Sequence, residues 1–557
     1  MAYTAEMTVP PGNQASGMPY SWNPSIFTAG GTNFPPDSPE WWLFNGILAI
    51  EGKQTEHQIR EDYVAGRHPL PNGDRRYIKA LRDFQEKSLT NYVELATNAI
   101  PSRMRVKGFR FGRPDGPKPM TNPSPRGSVD GGGNASQNGS QAPQTGGSEE
   151  NTGTADRDAR IVWMANDMDF QMEEFLQNCA TYGEAYLLNG PEDPETSEPT
   201  ITQEHPRLCH VFPDPVRKTR SLAGVRLWKD IFLGRMMAVL YLPDAIYAFM
   251  GPANHESVAA SVAFVNGGFQ PLSVQPNELG EVNLVRCQWR PDGKAEAEGS
   301  FSIQDRINHQ ILDRLVITKS QAYRQRWMTG GQIAQAGKKG KSGVDQRPPF
   351  DPGADTLWFV PAPDAKFGDF DQVDIKQILE AVRDDVIDFA ANQQLPAHYL
   401  MGRMANVGGD TLTQAESGHK LRTKARMRAV GWALEKSMKL AFKYKGNLEK
   451  AKELDAEVIW ADPEIRSLAE QADATVKFAQ AFAQAPPFLV PILAEMMDLD
   501  PDQTDRLVAA AEAWQQQQME REEQMLQQQH ENTMALAKEG AKAKPGGAGS
   551  QPAKKSS

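Results

Sequence analysis

Cysteine is scarce: the 557 residues hold three, Cys179, Cys209 and Cys287, an odd number and too far apart for a C-x-x-C pair. That excludes a disulfide framework and the usual thiolate zinc sites. The three read instead as small buried hydrophobes of a reducing compartment. Apolar runs are short: none reaches the roughly 18 residues of a membrane span, and the opening MAYTAEMTVPPGNQASGMPY lacks the basic and apolar regions of a secretion signal. A soluble intracellular protein is expected. Positive charge is also in deficit, with 60 Lys and Arg against 71 Asp and Glu and a net charge of -11. Unspecific nucleic-acid binding depends on cations that displace counterions from phosphates, so any handling of DNA must be local or weak.

Catalytic signatures are missing as well. QAGKKGKS ends like a Walker loop at Gly340, Lys341 and Ser342, but Gln335 stands where that loop needs glycine, and no helix start follows to aim amides at a phosphate. Asp364, Asp369, Asp371 and Asp374 lack the glycine and the bidentate Glu of a calcium loop; capping of the next helix by Asp369 or Asp371 is the simpler expectation. His205, His210 and His255 have no i, i+4 partner, and no G-x-S-x-G elbow is present. No cofactor, metal or catalytic residue is nominated.

At this length the chain exceeds the roughly 100 to 200 residues of one domain, so several subdomains are expected. From Trp41 to Phe111 the pattern is mainly helical, with RMRVKGFRF as a strand. Trp41 and Trp42 are expected to anchor into a core or a subunit interface. Residues 112–158 are so rich in Gly, Ser, Asn and Gln that they read as a disordered surface insertion. IVWMANDMDFQMEEFLQNCATY predicts one helix, broken at Gly183, after which AVLYL, AIYAFM and VNLVRCQW alternate with turns as in an α+β domain.

Next, Ile303, Ile307, Ile311 and Leu315 make the stripe of a long amphipathic helix. Residues 330–370 lose periodicity. A second long helix then places Ile378, Val382, Val386 and Phe389 on one side and Glu380, Asp384 and Asp388 on the other. Two such helices joined by a loop domain can form a hairpin, and copies packed head-to-tail can close a ring. After the glycine-containing stretch PAHYLMGRMANVGGDTLTQ, a third helix from Glu416 to Lys443 carries cations on two stripes, Lys420, Lys424 and Arg428 on one, Arg422 and Arg426 on the other. Such a helix has two polar neighbours; the preferred reading is charge pairing with Glu380, Asp384 and Asp388 of an adjacent subunit, against phosphate contact. The Gln-rich, basic tail 516–557 is expected to lack fixed structure.

Several local matches, YVAGRHP, NYVELATNAIPSRMRVKGFRF, NCATYGEAYLL, SIQDRINHQILDRL with Asp305 and Asn308, and IDFAANQQLPAHYLMG followed by GGD and ESGHKL, occur in an order that resembles the portal proteins of tailed double-stranded DNA bacteriophages, of the siphovirus Gp6-like, SPP1-type family. The resemblance implies a mainly helical α+β portal fold. Residues 1–40 would be an N-terminal arm, 41–300 the wing, 301–329 the first stem helix, helical from Ser302 to Trp327, and 330–370 the clip. Residues 371–396 would be the second stem helix, 397–415 the tunnel loop, 416–463 a kinked helix and strand returning through the wing, 464–515 the crown and 516–557 the tail.

It further implies a non-enzymatic dodecameric ring at one capsid vertex of the virion, assembled in the host cytoplasm. The ring would take in DNA with a separate terminase large subunit, join a head-tail adaptor and release DNA. Major capsid and scaffold proteins and passing double-stranded DNA are the other partners. Arg403, Met404, Ala405, Asn406, Val407, Gly408, Gly409, Asp410, Thr411 and Leu412 would line the channel, and Lys338, Lys339, Lys341 and Trp358 would dock terminase or adaptor. A minor head or scaffolding protein, or a DNA-processing enzyme, are the alternatives.

Overall fold

In the computed structural model the residues described are 34–71, 78–111, 155–253, 260–265, 268–322, 326–329, 366–369, 374–401, 409–463 and 501–542, with a few single positions. The chain divides into two compact units, Met1–Arg105 with Ala159–Lys452, and Val106–Asp158 with Glu453–Ser557.

The first unit opens with α1 (Pro39–Val64). Ser38 caps it, accepting from Trp41 N at 3.1 Å, and Pro39 fills the first turn, where its missing N–H costs nothing. Leu43, Ile47 and Ile50, at helical spacing, are buried over Val225, Leu227, Leu240 and Phe249. Gly46 faces Val225 so closely that a Cβ there would overlap the valine side chain. Trp41 and Trp42 pack on the same core, Trp42 with its ring 5.2 Å from Phe212, so they anchor within the subunit. α2 (Ile78–Lys87) and α3 (Tyr92–Ala99) follow.

The expected single helix after the insertion is two, α4 (Arg157–Ala165) and α5 (Met168–Tyr182). The chain turns at Asp167, which has φ 48°, while the Asn166 amide donates to Val162 O and Pro199 O and accepts from Ile201 N at 2.7 Å. Asparagine satisfies local backbone groups and competes with helix continuation there. Gly183, with φ 81°, ends α5 as expected; a Cβ on it would lie 2.5 Å from Gly293 O.

Two antiparallel sheets follow. One has the order β3 (Pro199–Glu204), β2 (Glu184–Glu192), β9 (Leu284–Gln288). The other is a meander of β4 (Cys209–Pro213), β5 (Ser221–Asp230), β6 (Arg235–Tyr241), β7 (Ala245–Ala253) and β8 (Gln270–Pro276), with α6 (Ala260–Val265) before β8. The three cysteines are free and buried.

α7 (Phe301–Ala322) and α8 (Ile375–Asn392) form the hairpin. Ser300 meets Asn392 and Gln393, Arg306 meets Asp385, and Val316 and Ile317 share a cleft with Gln377, Ile378 and Ala381, so the two run antiparallel. Ile307, Ile311, Val386 and Phe389 close its core against Val93 and Ala96. Trp327 lies beyond α7, in β10 (Arg326–Thr329), which pairs with β11 (Lys366–Asp369), so the first long helix is shorter than expected. Asp369 belongs to that strand; Asp374 caps α8, accepting from Lys376 N at 2.9 Å. The chain continues through α9 (His398–Met401), α10 (Gly409–Tyr444) and α11 (Leu448–Lys452).

The second unit contains β1 (Val106–Arg110) paired antiparallel with β12 (Glu457–Trp460), and α12 (Pro501–Lys542). The Gln-rich stretch is therefore helical through Lys542, against expectation. Between Asp502 and Glu539 it holds neither Gly nor Pro and is dominated by Gln, Glu, Ala, Met and Leu, which favour helix without any packed face.

Candidate functional site

Part of the stretch expected to line a channel as a loop is helical, in α9 and α10. Gly409, Asp410, Thr411 and Leu412 lie in the first turns of α10, seven residues before the expected helix start at Glu416, and His398–Met401 is helical rather than loop. Arg403, Met404, Ala405, Asn406, Val407 and Gly408 lie outside the described residues, as do Lys338, Lys339, Lys341 and Trp358.

The described residues on either side of 402–408 are fixed. On the near side, α8 ends at QQLP: Gln394 adopts φ 52°, Leu395 N donates back to Ala390 O at 2.9 Å, and Leu395 is buried. This is a left-handed helix stop with its hydrophobic contact, closed by Pro396. Tyr399 then donates to Glu416 Oε1 at 2.8 Å, and Arg103 bonds the Tyr399 hydroxyl and lies 3.6 Å from the Glu416 carboxylate. Burial and the bond to Glu416 push the Tyr399 hydroxyl up to about 12, so it stays a donor. The residue before the loop and the helix after it are thus clamped together.

The far side is held by a buried carboxylate. Glu296 is 1% exposed and receives Arg422 at 2.5 Å and Arg426 at 2.8 Å, and Trp289 Nε1 donates to it at 2.5 Å. Burial pushes Glu296 up, but the guanidinium groups of Arg422 and Arg426 outweigh it and hold the carboxyl below its usual range. Arg422 also donates to Gln393 Oε1 at 3.0 Å, joining α10 to the end of α8. Further along, Ser437 donates to Asn189 Oδ1 and Tyr444 accepts from Asn283, fixing α10 on β2 and the β9 approach.

The cation stripes therefore separate. Arg422 and Arg426 pair within the subunit, correcting the expectation that they pair across subunits; a buried acid in a segment without periodicity gives no sequence signal. Asp388 likewise meets Arg306 at 3.3 Å. Lys424 and Arg428 are exposed, Lys420 is half-buried, and Glu380 and Asp384 are exposed on α8. Among the described residues Lys424, Arg428, Glu380 and Asp384 have no ion-pair partner in the subunit.

Two motifs far apart in the sequence meet in space. Tyr63 of YVAGRHP donates to Asp305 at 2.7 Å, and His68 lies 3.1 Å from Asn308, which also accepts from Thr90 N. A family profile described as phage portal protein, SPP1 Gp6-like, matches residues 147–523. Among curated proteins none matches the chain.

Proposed function

Because this chain belongs to the SPP1 Gp6-like family of phage portal proteins, we propose that it assembles into the ring-shaped DNA channel at one capsid vertex. The ring works in genome packaging with a separate terminase, in head-tail joining and in ejection. The observation that carries this reading is the family match, which runs through both helices of the hairpin and the long helix after it. Portal families are structural, and the chemistry is left to the motor; this chain passes DNA.

In this reading α7 and α8 are the stem, residues 330–370 the clip and residues 402–408 the narrowest part of the channel. The Tyr399–Glu416 clamp and the Glu296–Arg422–Arg426 cluster give that loop fixed ends, so that only its short middle adjusts as DNA passes. Adjacent subunits pair Glu380 and Asp384 of one stem with Lys424 and Arg428 of the next. Lys338, Lys339, Lys341 and Trp358 of the clip dock terminase and adaptor. An acidic chain suits the task, since each fixed cation in a channel strengthens sticking to phosphate.

Deleting residues 331–369 tests the assignment. A portal so shortened keeps its ring but no longer binds the terminase large subunit, whereas a scaffolding protein tolerates the loss and still directs capsid assembly.

A further inference from the structure

On a chain of net charge -11, the turn between β4 and β5 is exceptional. Its sequence, Asp214-Pro-Val-Arg-Lys-Thr-Arg220, carries Arg217, Lys218 and Arg220, all exposed. Among the described residues none of the three has an ion-pair partner. The turn is nonetheless well held. Asp214 N donates to Arg220 O at 2.8 Å, and Arg220 N donates to Arg217 O at 2.8 Å. The one carboxylate in the turn is committed to the backbone, accepting from Val216 N at 2.8 Å and Arg217 N at 3.2 Å.

α10 backs this turn. Lys436 Nζ donates to Thr219 O at 3.0 Å and lies 5.5 Å from the ring centre of Trp432, which is 37% exposed. Lys439 sits next to Lys436 on the helix. A row of exposed cations beside an aromatic face, on a chain of net negative charge, is the chemistry of a phosphate-backbone contact: Arg and Lys pair with phosphate oxygens whatever the base sequence.

We propose that the β4–β5 turn, through Arg217, Lys218 and Arg220 with Lys436 and Trp432 behind them, is a contact for the sugar-phosphate backbone of double-stranded DNA, independent of sequence and separate from the channel loop. The proposal rests on the portal reading only for the choice of DNA as the polyanion. The three cations stand on a hairpin end rather than in a cavity, so they meet a broad surface such as a duplex and not an enclosed small anion. The contact is weak by construction, since three charges release about three counterions, and it is lost steeply as salt rises.

The test compares the full chain with the triple variant R217Q/K218Q/R220Q, whose changes lie on exposed turn side chains that make no side-chain hydrogen bond or ion pair among the described residues. Binding of a labelled mixed-sequence duplex is followed by fluorescence anisotropy across a potassium chloride series, with poly-glutamate as a competitor and sedimentation velocity alongside. The wild type binds the duplex, with log affinity falling linearly against log salt. In the variant affinity at low salt falls about tenfold or more and the slope shrinks by up to about 3. Unchanged affinity and slope overturn the proposal. So does displacement of the duplex by poly-glutamate at equal charge, which marks an acidic protein partner, and so does loss of oligomers in the variant, which marks a contact between copies. If the wild type forms no ring yet the variant loses duplex binding, the portal reading fails and this contact stands.

Discussion

Arg426 and Glu296 lie 130 residues apart in sequence and 2.8 Å apart in space, one side chain 12% exposed and the other 1%. With Arg422 they form the joint by which the long helix after the loop is held to the segment preceding the stem.

Removing the acid from that joint leaves two guanidinium groups buried without a counter-charge. Glu296→Ala is expected to destabilise the first unit by about 3 kcal/mol, the usual cost of breaking a buried pair from one side. Differential scanning calorimetry reads it as a lowered melting transition. Glu296→Gln, which keeps an acceptor for Trp289 Nε1, costs less.

The exposed charges make a different prediction. Lys424→Glu with Arg428→Glu leaves the subunit folded and lowers the fraction in rings, because both side chains project from the subunit. Adding Glu380→Lys and Asp384→Lys restores assembly if the two stripes face each other across subunits. Failure of the second pair to rescue, in the same native mass spectra, removes that pairing from the account.

Gly408 and Gly409 separate two roles. Gly409 is the first residue of α10, a position where proline is tolerated, so Gly409→Pro is expected to retain folding, rings and packaging. The double replacement by proline stiffens the loop itself, and packaging or DNA retention is expected to fall while rings persist. Packaging assays with both variants check this, and wild-type packaging by the double variant contradicts the moving-loop reading.

Acid sensitivity has a stated origin. Glu184 is buried and receives Lys53 at 2.5 Å and Arg286 at 2.7 Å; burial pushes it up, but these cations outweigh burial and hold it at about 2. Burial lowers the adjacent His57 and His210 to about 4. All three values are depressed on folding, so the stability they supply is full above the unfolded values and is lost as pH falls. The histidines act between pH 6.5 and about 4, and Glu184 between pH 4.5 and about 2. For His57 this is at most about 3 kcal/mol. The melting temperature is expected to drop from pH 6.5 downward, and His57→Phe to flatten the upper part of that fall.

The sequence made the regular elements legible because their signals are local. Period-3.6 stripes marked α7 and α8, apolar runs set between turn residues marked β6 and β7, and Gly183 stopped α5 where its left-handed φ requires it. What it hid is non-local or competitive. Asn166 breaks a helix by bonding a strand more than thirty residues away. Glu296 receives two cations expected to pair with an adjacent subunit, and Trp327 leaves its helix to pair with Gly368. Motifs far apart in sequence come together: Tyr63 and Asp305 share a hydrogen bond across 242 residues. The basic residues Arg217, Lys218 and Arg220 are a charge run in the sequence, and that they stand exposed on one hairpin end is visible only once the sheet is built.

The central claim is a closed ring with a DNA-sized hole. Native mass spectrometry of the purified full chain, paired with negative-stain microscopy of the same sample, tests it most directly. The account predicts one closed oligomer, with end views showing a ring around a central channel; a protein that stays monomeric at every concentration and yields no rings contradicts it.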